Sequence, residues 1–289
     1  MYKIKYWIWA SRPQTLIASI GPILVTSVLC YKYNIFNFSV FYFTLLAAML
    51  IQIMTNFIND LYDFKKGSDR SDRIGPKRMI QKGYLLENEM KRAIHFLLFI
   101  LIVIGLYLVS FGGWPILCIG LSSFLFAYLY TASKFSIAYN GMGEIFVFFY
   151  FGVIASIGTF YLQTLEFNYG ALLIGTIFGC LNVSLLVINN LRDYHQDAQS
   201  NKNTLVVIFG KKFGKIELVI MNILSFEFLY MLSIFLQKQT IFFSSLPLGI
   251  LVLLLLYKVL SDINFLNYKA LPMFSIYTTT FTLVLLFTI

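Results

Sequence analysis

The amino-acid sequence predicts an all-α protein that crosses a membrane several times, and three observations support this prediction. Of its 289 residues 59% are hydrophobic and 12% charged, with a mean hydropathy of +0.78, whereas an ordinary soluble domain is nearer half apolar and a quarter charged. Apolar stretches of membrane-spanning length recur along the whole chain. These stretches are rich in Leu, Ile and Phe without strand-like alternation, which favours helices over a β-barrel.

The chain begins with a short basic segment, followed by two predicted spans and a long polar loop. The first span starts after Arg12-Pro13 and has no small-residue cleavage pattern, so we interpret it as a membrane helix rather than a signal peptide. The second span leads directly into an acidic motif. The following segment, 70–82, is too polar to cross a bilayer, and Gly75-Pro76 and Gly83 divide it into short elements. We expect it to form a cytoplasmic cap over a central cavity.

Seven more apolar stretches follow this loop. The sixth span of the chain ends in a second acidic motif, and the seventh contains Glu227 near its middle. We therefore expect a single membrane domain over residues 1–289 with about nine helices. The predicted spans are 15–31, 39–58, 93–112, 114–131, 142–161, 168–188, 213–236, 241–260 and 271–289.

The distribution of basic residues tests this count of helices. With the N-terminus in the cytoplasm, nine spans place 20 of the 22 Lys and Arg residues on the cytoplasmic side, and only Lys32 and Lys238 fall outside. Cytoplasmic loops of membrane proteins are enriched in Lys and Arg. The net charge of +9 is thus explained by topology and by attraction to anionic lipid or substrate, and it gives no reason to expect a nucleic acid partner.

Two motifs follow directly on long apolar runs: NFINDLYDFKKGSD and NNLRDYHQD. In the first, Asn56, Asn59, Asp60 and Asp63 have the spacing of one helical stripe. In the second, Asn189, Asp193 and Asp197 are four residues apart, again on one helical face. Four predicted helices separate the two motifs, so both emerge on the same side of the membrane.

Acidic residues at helix ends need a compensating cation. The C-terminus of a helix already carries partial negative charge, and carboxylate and amide oxygens in two facing clusters are typical ligands of Mg²⁺. The alternative is two solvated loops whose acids pair with neighbouring basic residues. Because both motifs share the same spacing and the same side, we favour a shared cavity that binds a divalent metal and a polyanion.

The two motifs and their surroundings resemble the aspartate-rich motifs of the UbiA superfamily of intramembrane prenyltransferases. The resemblance is seen in NDLYDFKKGSDRSDRIGPKRMIQKG and NNLRDYHQDAQSNKNTLVVIFG, and it extends from about residue 12 to 210. The GSDxxDRxGPxRxxQKG tail most resembles the branch that prenylates 1,4-dihydroxy-2-naphthoate in menaquinone synthesis. One departure is Gly67, where many relatives have a third aspartate. Asp69, two residues later, is the candidate to replace it.

The resemblance implies transfer of a polyprenyl group from its diphosphate to an aromatic ring, with loss of CO₂ in this branch, in the cell inner membrane and on its cytoplasmic side. The implied catalytic acids are Asp60, Asp63, Asp69, Asp193 and Asp197, and the implied Mg²⁺ ligands are Asn59, Asp63, Asn189, Asp193 and Asp197. The implied substrate-binding residues are Arg12, Asn59, Lys65, Lys66, Arg78, Lys134, Asn189, Arg192 and Lys202. No obligate protein partner is evident.

Two other readings of the sequence remain open. Another aromatic acceptor, of the 4-hydroxybenzoate or homogentisate type, would use the same metal site. A secondary transporter would also bury acids, but usually near the middle of the bilayer, a position that only Glu227 has in the predicted spans. Glu144, at the start of the fifth span, is a further candidate either to support the site or to cap its helix.

Overall fold

The computed structural model describes residues 2–67, 75, 78–132 and 136–289, and within these ranges every regular element is helical. Short 3₁₀ turns at Pro13–Thr15 and Ile137–Tyr139 and π-helical segments at Phe149–Ile154 and Phe265–Lys269 lie between the α-helices. The α-helices are α1 (Tyr2–Ser11), α2 (Ile17–Lys32), α3 (Phe38–Lys65), α4 (Glu87–Leu129), α5 (Gly143–Phe148), α6 (Ala155–Thr164), α7 (Tyr169–Gln199), α8 (Leu205–Phe235), α9 (Thr240–Ser261) and α10 (Ala270–Thr288).

The prediction of an all-α, multi-pass membrane architecture is confirmed, but the number of nine spans is not. Among the described residues, seven helices are long and apolar enough to cross a membrane. The number is eight if α1 and α2, which are bent by 56° relative to each other, form one span. The number of eight differs from the expected nine because α4 is counted as one helix, whereas the sequence predicted two spans there, 93–112 and 114–131.

Helix α4 is broken at Gly113. Its 43 residues would extend about 65 Å as a straight helix, roughly twice the thickness of the hydrocarbon core. Gly113 has φ 63° and ψ −148°, a conformation that is essentially restricted to glycine. Pro115, two residues later, removes a backbone donor and disfavours a continuous helix.

Packing shows that α4 reverses its direction at this break. Near its start, Met90 packs with Phe57 close to the C-terminal end of α3. Around the break, Ile116 packs with Val40 at the beginning of α3. Near its end, Ala127 packs beside the C-terminal part of α3 again. Both ends of α4 therefore lie at the end of α3 that carries the first acidic motif.

Helix α7 lies at the centre of the molecule, and its apolar stretch is 89% buried. Glycines allow it to approach the π-helical segment closely, because a Cβ on Gly152 would lie 2.4 Å from the carbonyl oxygen of Gly175. The Asn182 side-chain amide donates to the carbonyl oxygens of Ala18 (2.9 Å) and Phe151 (2.6 Å). These contacts join three segments of the chain and place the C-terminal end of α7, with the second acidic motif, in the interior.

The predicted cytoplasmic cap falls largely outside the described residues. Of segment 70–82, the structure describes 75 and 78–82. Met79 and Ile80 are buried in a cluster with Ala10 of α1 and with Phe57 and Leu61 of α3. The chain therefore returns from the loop against the end of α3.

Candidate active site

A polar cavity of about 130 Å³ lies between the C-terminal ends of α3 and α7. Its wall brings together residues from both acidic motifs with basic residues from three other segments. Eight residues predicted from the sequence line it: Arg12, Asn59, Asp63, Arg78, Asn189, Arg192, Asp193 and Lys202. Residues of both motifs thus lie on the wall of one cavity.

In the first motif, Asp63 is the buried centre of a small hydrogen-bond network. Its carboxylate accepts from the Arg78 guanidinium at 2.6 Å and from the Tyr139 hydroxyl at 3.0 Å. Both Asp63 and Arg78 are largely excluded from solvent, so this is a charge-assisted pair in a low-dielectric environment. One turn earlier, the Asn59 side-chain carbonyl accepts from the Thr131 hydroxyl.

In the second motif, each aspartate is paired with a cation. The Arg192 guanidinium binds both carboxylate oxygens of Asp193, at 2.7 and 2.9 Å, and the Lys202 ammonium lies 3.3 Å from both oxygens of Asp197. Asn189 donates to the Leu185 carbonyl oxygen, which leaves its side-chain oxygen able to accept a ligand.

The loop after α4 connects the two motifs. Asn203, which follows Lys202, donates its backbone N–H to the Tyr139 carbonyl oxygen at 3.2 Å. Asn140 and Asn203 form a parallel β-bridge. The Tyr139 hydroxyl also donates to Asp63. Tyr139 therefore contacts the first motif through its side chain and the segment after the second motif through its backbone.

Several predicted site residues do not line the polar cavity. The Asp60 carboxylate is buried and accepts from the Met79 backbone N–H at 3.0 Å, so it holds the returning loop. Lys65 lies near the surface, 3.9 Å from Glu87. Asp197 contacts the cavity through Lys202 rather than directly.

Three further predicted residues lie beside the cavity or outside the described ranges. Lys66 donates to the Ser136 hydroxyl at 2.9 Å, and its ammonium lies 4.2 Å above the Tyr139 ring. Burial lowers the pKa of Lys66, and the charge of Asp63 opposes this effect. Asp69 and Lys134 are not among the described residues.

The cavity wall offers oxygen ligands suited to a hard divalent cation. Asn59 and Asp63 face it from α3, and Asn189 and Asp193 face it from α7. Carboxylate and amide oxygens are the ligand types that Mg²⁺ uses. Within the part of the chain that the structure describes, no three acidic, histidine or cysteine side chains are grouped closely enough to form a metal cluster. Asp63 and Asp193 instead bind arginines, which would have to give way to a metal.

Sequence reasoning missed several uncharged residues of the site. Tyr130, Thr131 and Asn190 line the cavity, and Tyr139 binds Asp63. Of these residues, only Asn190 could have been suspected from the sequence, because it lies directly beside Asn189 in the second motif. Glu144, considered from the sequence without a definite role, also lines the cavity and accepts from the Asn190 amide at 2.9 Å.

A second cavity, apolar and about 520 Å³ in volume, adjoins the polar one. Its wall is formed by α2, α3, α4 and the segment from α5 to α6, and Tyr130 lines both cavities. Burial raises the pKa of Tyr130, and the nearby carboxylate of Glu144 raises it further. The Tyr130 hydroxyl therefore stays protonated and can donate a hydrogen bond at the junction.

Sequence comparison identifies relatives over most of the chain. The UbiA prenyltransferase family matches residues 19–274. The chain is 38% identical to 1,4-dihydroxy-2-naphthoate octaprenyltransferase of Escherichia coli (strain K12) over 213 residues, which are 71% of this chain and 68% of that protein. The protein of the same name from Haemophilus influenzae is 36% identical over 227 residues, 74% of this chain and 72% of that protein.

Solved structures show the same fold at low sequence identity. A UbiA homolog from Archaeoglobus fulgidus bound to GPP and Mg²⁺ superimposes with a TM-score of 0.71 at 16% identity, covering 96% of this chain and 97% of that one. A digeranylgeranylglyceryl phosphate synthase superimposes with a TM-score of 0.64 at 18% identity, covering 100% and 99%.

Proposed function

Because the chain belongs to the UbiA prenyltransferase family, we propose that it transfers a polyprenyl group from polyprenyl diphosphate to 1,4-dihydroxy-2-naphthoate, with loss of CO₂, to give demethylmenaquinone. The protein is a multi-pass membrane prenyltransferase. The observation that carries the proposal is the presence of two cavities that share Tyr130 in their walls, one polar with two acidic motifs and one apolar and large. An amphiphile with a diphosphate head and a prenyl tail matches this division.

The acceptor is proposed from the relatives. Two of them bear the name 1,4-dihydroxy-2-naphthoate octaprenyltransferase at 38% and 36% identity. Such an acceptor carries a carboxylate, and Arg12 and Arg78 line the polar cavity as candidates to bind it. Lys134, also predicted for this role, lies outside the described residues.

The polar cavity would bind the diphosphate together with Mg²⁺. We assign Asn59, Asp63, Asn189 and Asp193 as metal ligands, with Asp197 acting through Lys202 or directly after rearrangement. The structure of the same fold from Archaeoglobus fulgidus is bound to GPP and Mg²⁺, which supports a divalent metal ion in this cavity. A bound Mg²⁺ stabilises the charge of the departing diphosphate.

The protein's own side chains perform the remaining tasks. The guanidinium groups of Arg12, Arg78 and Arg192 and the ammonium of Lys202 line the same cavity, where they offset the negative charge of the diphosphate. The apolar cavity surrounds the prenyl chain and excludes water from the allylic carbon. Tyr130 lies at the boundary, where the diphosphate meets the first prenyl unit.

We also propose that this site opens to the cytoplasm at the cell inner membrane. The support is the distribution of charge, since 20 of the 22 Lys and Arg residues lie on the side of the acidic motifs when nine spans are assumed. The two ends of α4 and the ends of α3 and α7 meet at one side of the molecule, as this arrangement requires.

The transporter alternative is not favoured by the structure. Glu227, the residue that suggested it, is exposed on the outer surface of α8 and lines neither cavity.

The proposal is tested by incubating the purified protein with Mg²⁺, a polyprenyl diphosphate and carboxyl-labelled 1,4-dihydroxy-2-naphthoate. We expect one labelled CO₂ to be released for each prenylated product that mass spectrometry detects. Asp63→Ala and Asp193→Ala should each lower the rate about a thousandfold, because several kcal/mol of leaving-group stabilisation are lost. Glu166→Ala, an exposed carboxylate in the loop before α7, serves as the matched control.

Two results would change this conclusion. A prenylated product that retains the label shows that this acid reacts without loss of CO₂, by another reaction course, with the metal site unaffected. Near-normal rates in both aspartate variants, at equal expression, refute the shared site.

A further inference from the structure

One carboxylate of the polar cavity has no task in the chemistry described above. Glu144 is buried in the first turn of α5 and lines the cavity. Its Oε1 accepts from the neutral amide of Asn190 at 2.9 Å. Asp63, Asp193 and Asp197 each bind an arginine or lysine, whereas within the described ranges no ion pair involves Glu144. A guanidinium or ammonium therefore does not occupy its oxygens.

The charged and titratable groups around Glu144 come from three other segments. Lys202, after α7, attracts its charge, and Glu217 of α8 repels it. Glu217 is itself buried, and its Oε2 has no hydrogen-bond partner among the described residues. Tyr130, after α4, completes the surroundings. With no third acid, histidine or cysteine grouped there in the described residues, this pair of carboxylates is better suited to a proton than to a metal.

Glu144 lies beside the position where the new bond would form. Tyr130 lines both the polar and the apolar cavity, so this residue lies where the two cavities are nearest to each other. The residue before Glu144, Gly143, lies against the Tyr130 hydroxyl, because a Cβ on Gly143 would be 3.4 Å from it. The allylic carbon, which joins the diphosphate to the prenyl chain, has to lie in this same region.

We propose that Glu144 is a catalytic residue, the base that accepts the hydroxyl proton of the aromatic acceptor. The proposal rests on the proposed function, because it requires a hydroxylated aromatic ring at the junction of the two cavities. A phenolic ring attacks a carbon electrophile much better once its O–H proton has been removed. A positioned carboxylate that removes such a proton typically contributes a rate factor of about 10² to 10⁴.

The acceptor O–H bond breaks and its proton moves to Glu144, while the electron pair on oxygen forms a C=O bond. The ring carbon that bears the carboxylate forms a bond to the allylic carbon, whose C–O bond breaks, and the diphosphate departs with that pair. When CO₂ leaves, the pair of its C–C bond restores the aromatic ring, and Glu144 returns the proton to the ring oxygen. Asn190 stabilises the carboxylate form of Glu144 by its hydrogen bond.

The test compares Glu144→Gln, Glu144→Asp and wild type in three measurements: prenyl transfer, binding of the prenyl diphosphate with Mg²⁺, and slow release of diphosphate to water without acceptor. Transfer is measured with a panel of hydroxylated aromatic acids, beginning with 1,4-dihydroxy-2-naphthoate. Glu227→Gln is the matched control, since this carboxylate is exposed on a spanning helix.

We expect Glu144→Gln to lower transfer about a hundredfold or more, with binding and acceptor-independent release unchanged and with Glu144→Asp partly active. Wild-type transfer should also fall at acidic pH, and Glu144→Gln should lose the part of this dependence that comes from protonation of Glu144. Unchanged transfer in Glu144→Gln refutes the role of Glu144 alone. Equal loss of prenyl transfer and of acceptor-independent release of diphosphate also refutes this role, because Glu144 would then assist the departure of the diphosphate and not the deprotonation of the acceptor. A wild-type protein that prenylates no acceptor of the panel refutes the proposed function together with this inference.

Discussion

The buried ion pair between Asp63 and Arg78 should be costly to break when no metal is present. Its nitrogen–oxygen distance is 2.6 Å, and the two side chains are only 6% and 11% exposed. In Arg78→Met the apolar stem is largely retained, but the Asp63 carboxylate stays buried without its guanidinium. Removing one partner of a buried pair costs about 3 to 5 kcal/mol. Because the Tyr139 hydroxyl still donates to Asp63, we take the lower end, about 3 kcal/mol.

This energy converts into a measurable change of melting temperature. With an unfolding entropy of about 2.1 cal/mol/K per residue, a loss of about 3 kcal/mol over 289 residues lowers Tm by about 5 °C. The assay is thermal unfolding in a mild detergent with EDTA, followed by circular dichroism. Lys65→Met is the matched control, because its pair with Glu87 spans 3.9 Å and is more than one third exposed, and such pairs contribute at most about 1 kcal/mol.

The same measurement with saturating Mg²⁺ tests the metal site. A cation bound at Asp63 replaces the lost guanidinium charge, so the difference between Arg78→Met and wild type should shrink. If Arg78→Met lowers Tm in EDTA by no more than Lys65→Met does, the buried ion pair is refuted. A difference that is equal with and without Mg²⁺ would refute competition between Arg78 and the metal ion for Asp63.

Two further predictions concern packing and topology. Gly152→Ala should lower Tm in the same unfolding assay, because the new Cβ would lie 2.4 Å from a backbone oxygen of α7. Gly249→Ala is the control and should leave Tm unchanged, because its Cβ would make only ordinary contacts. Equal effects of the two substitutions on Tm would contradict the close approach of the helices. Topology is tested in a background without the three cysteines. A cysteine introduced at Ser200 should resist an impermeant thiol reagent in intact cells, whereas a cysteine at Gln239 should react with it. The opposite pattern of labelling would reverse the proposed orientation.

The positions of the spans and of the two motifs could be predicted because they depend on local patterns. Hydropathy alone located the apolar stretches, and the four-residue spacing placed Asn189 and Asp193 on one face of α7 that does line the cavity. The same reasoning grouped Asp60 with Asn59, although neighbouring residues are about 100° apart on a helix. In the structure Asn59 faces the cavity and Asp60 faces the returning loop at Met79.

The rest of the site depends on contacts between residues far apart in sequence. Tyr139 binds Asp63 across 76 positions, and Asn190 binds Glu144 across 46. Neither tyrosine nor asparagine is unusual in this chain, so no pattern predicted these two contacts. Arg78 was one of nine basic residues between 65 and 92, and its pairing with Asp63 is seen only in the fold.

The reversal of α4 at Gly113 has a consequence for how the protein is made. Residues 87–129 have to enter the bilayer as a closed pair of helices, because one straight helix of that length would be about twice as long as the hydrocarbon core is thick. A side chain at position 113 would oppose the backbone conformation that closes the pair. If the pair inserted as a single crossing, every later segment would be inverted, and the second motif would emerge on the opposite side from the first. Substitutions at Gly113 are therefore expected to cause defects of biogenesis. They would act during membrane insertion and would separate the two acidic motifs, although position 113 is far from the active site.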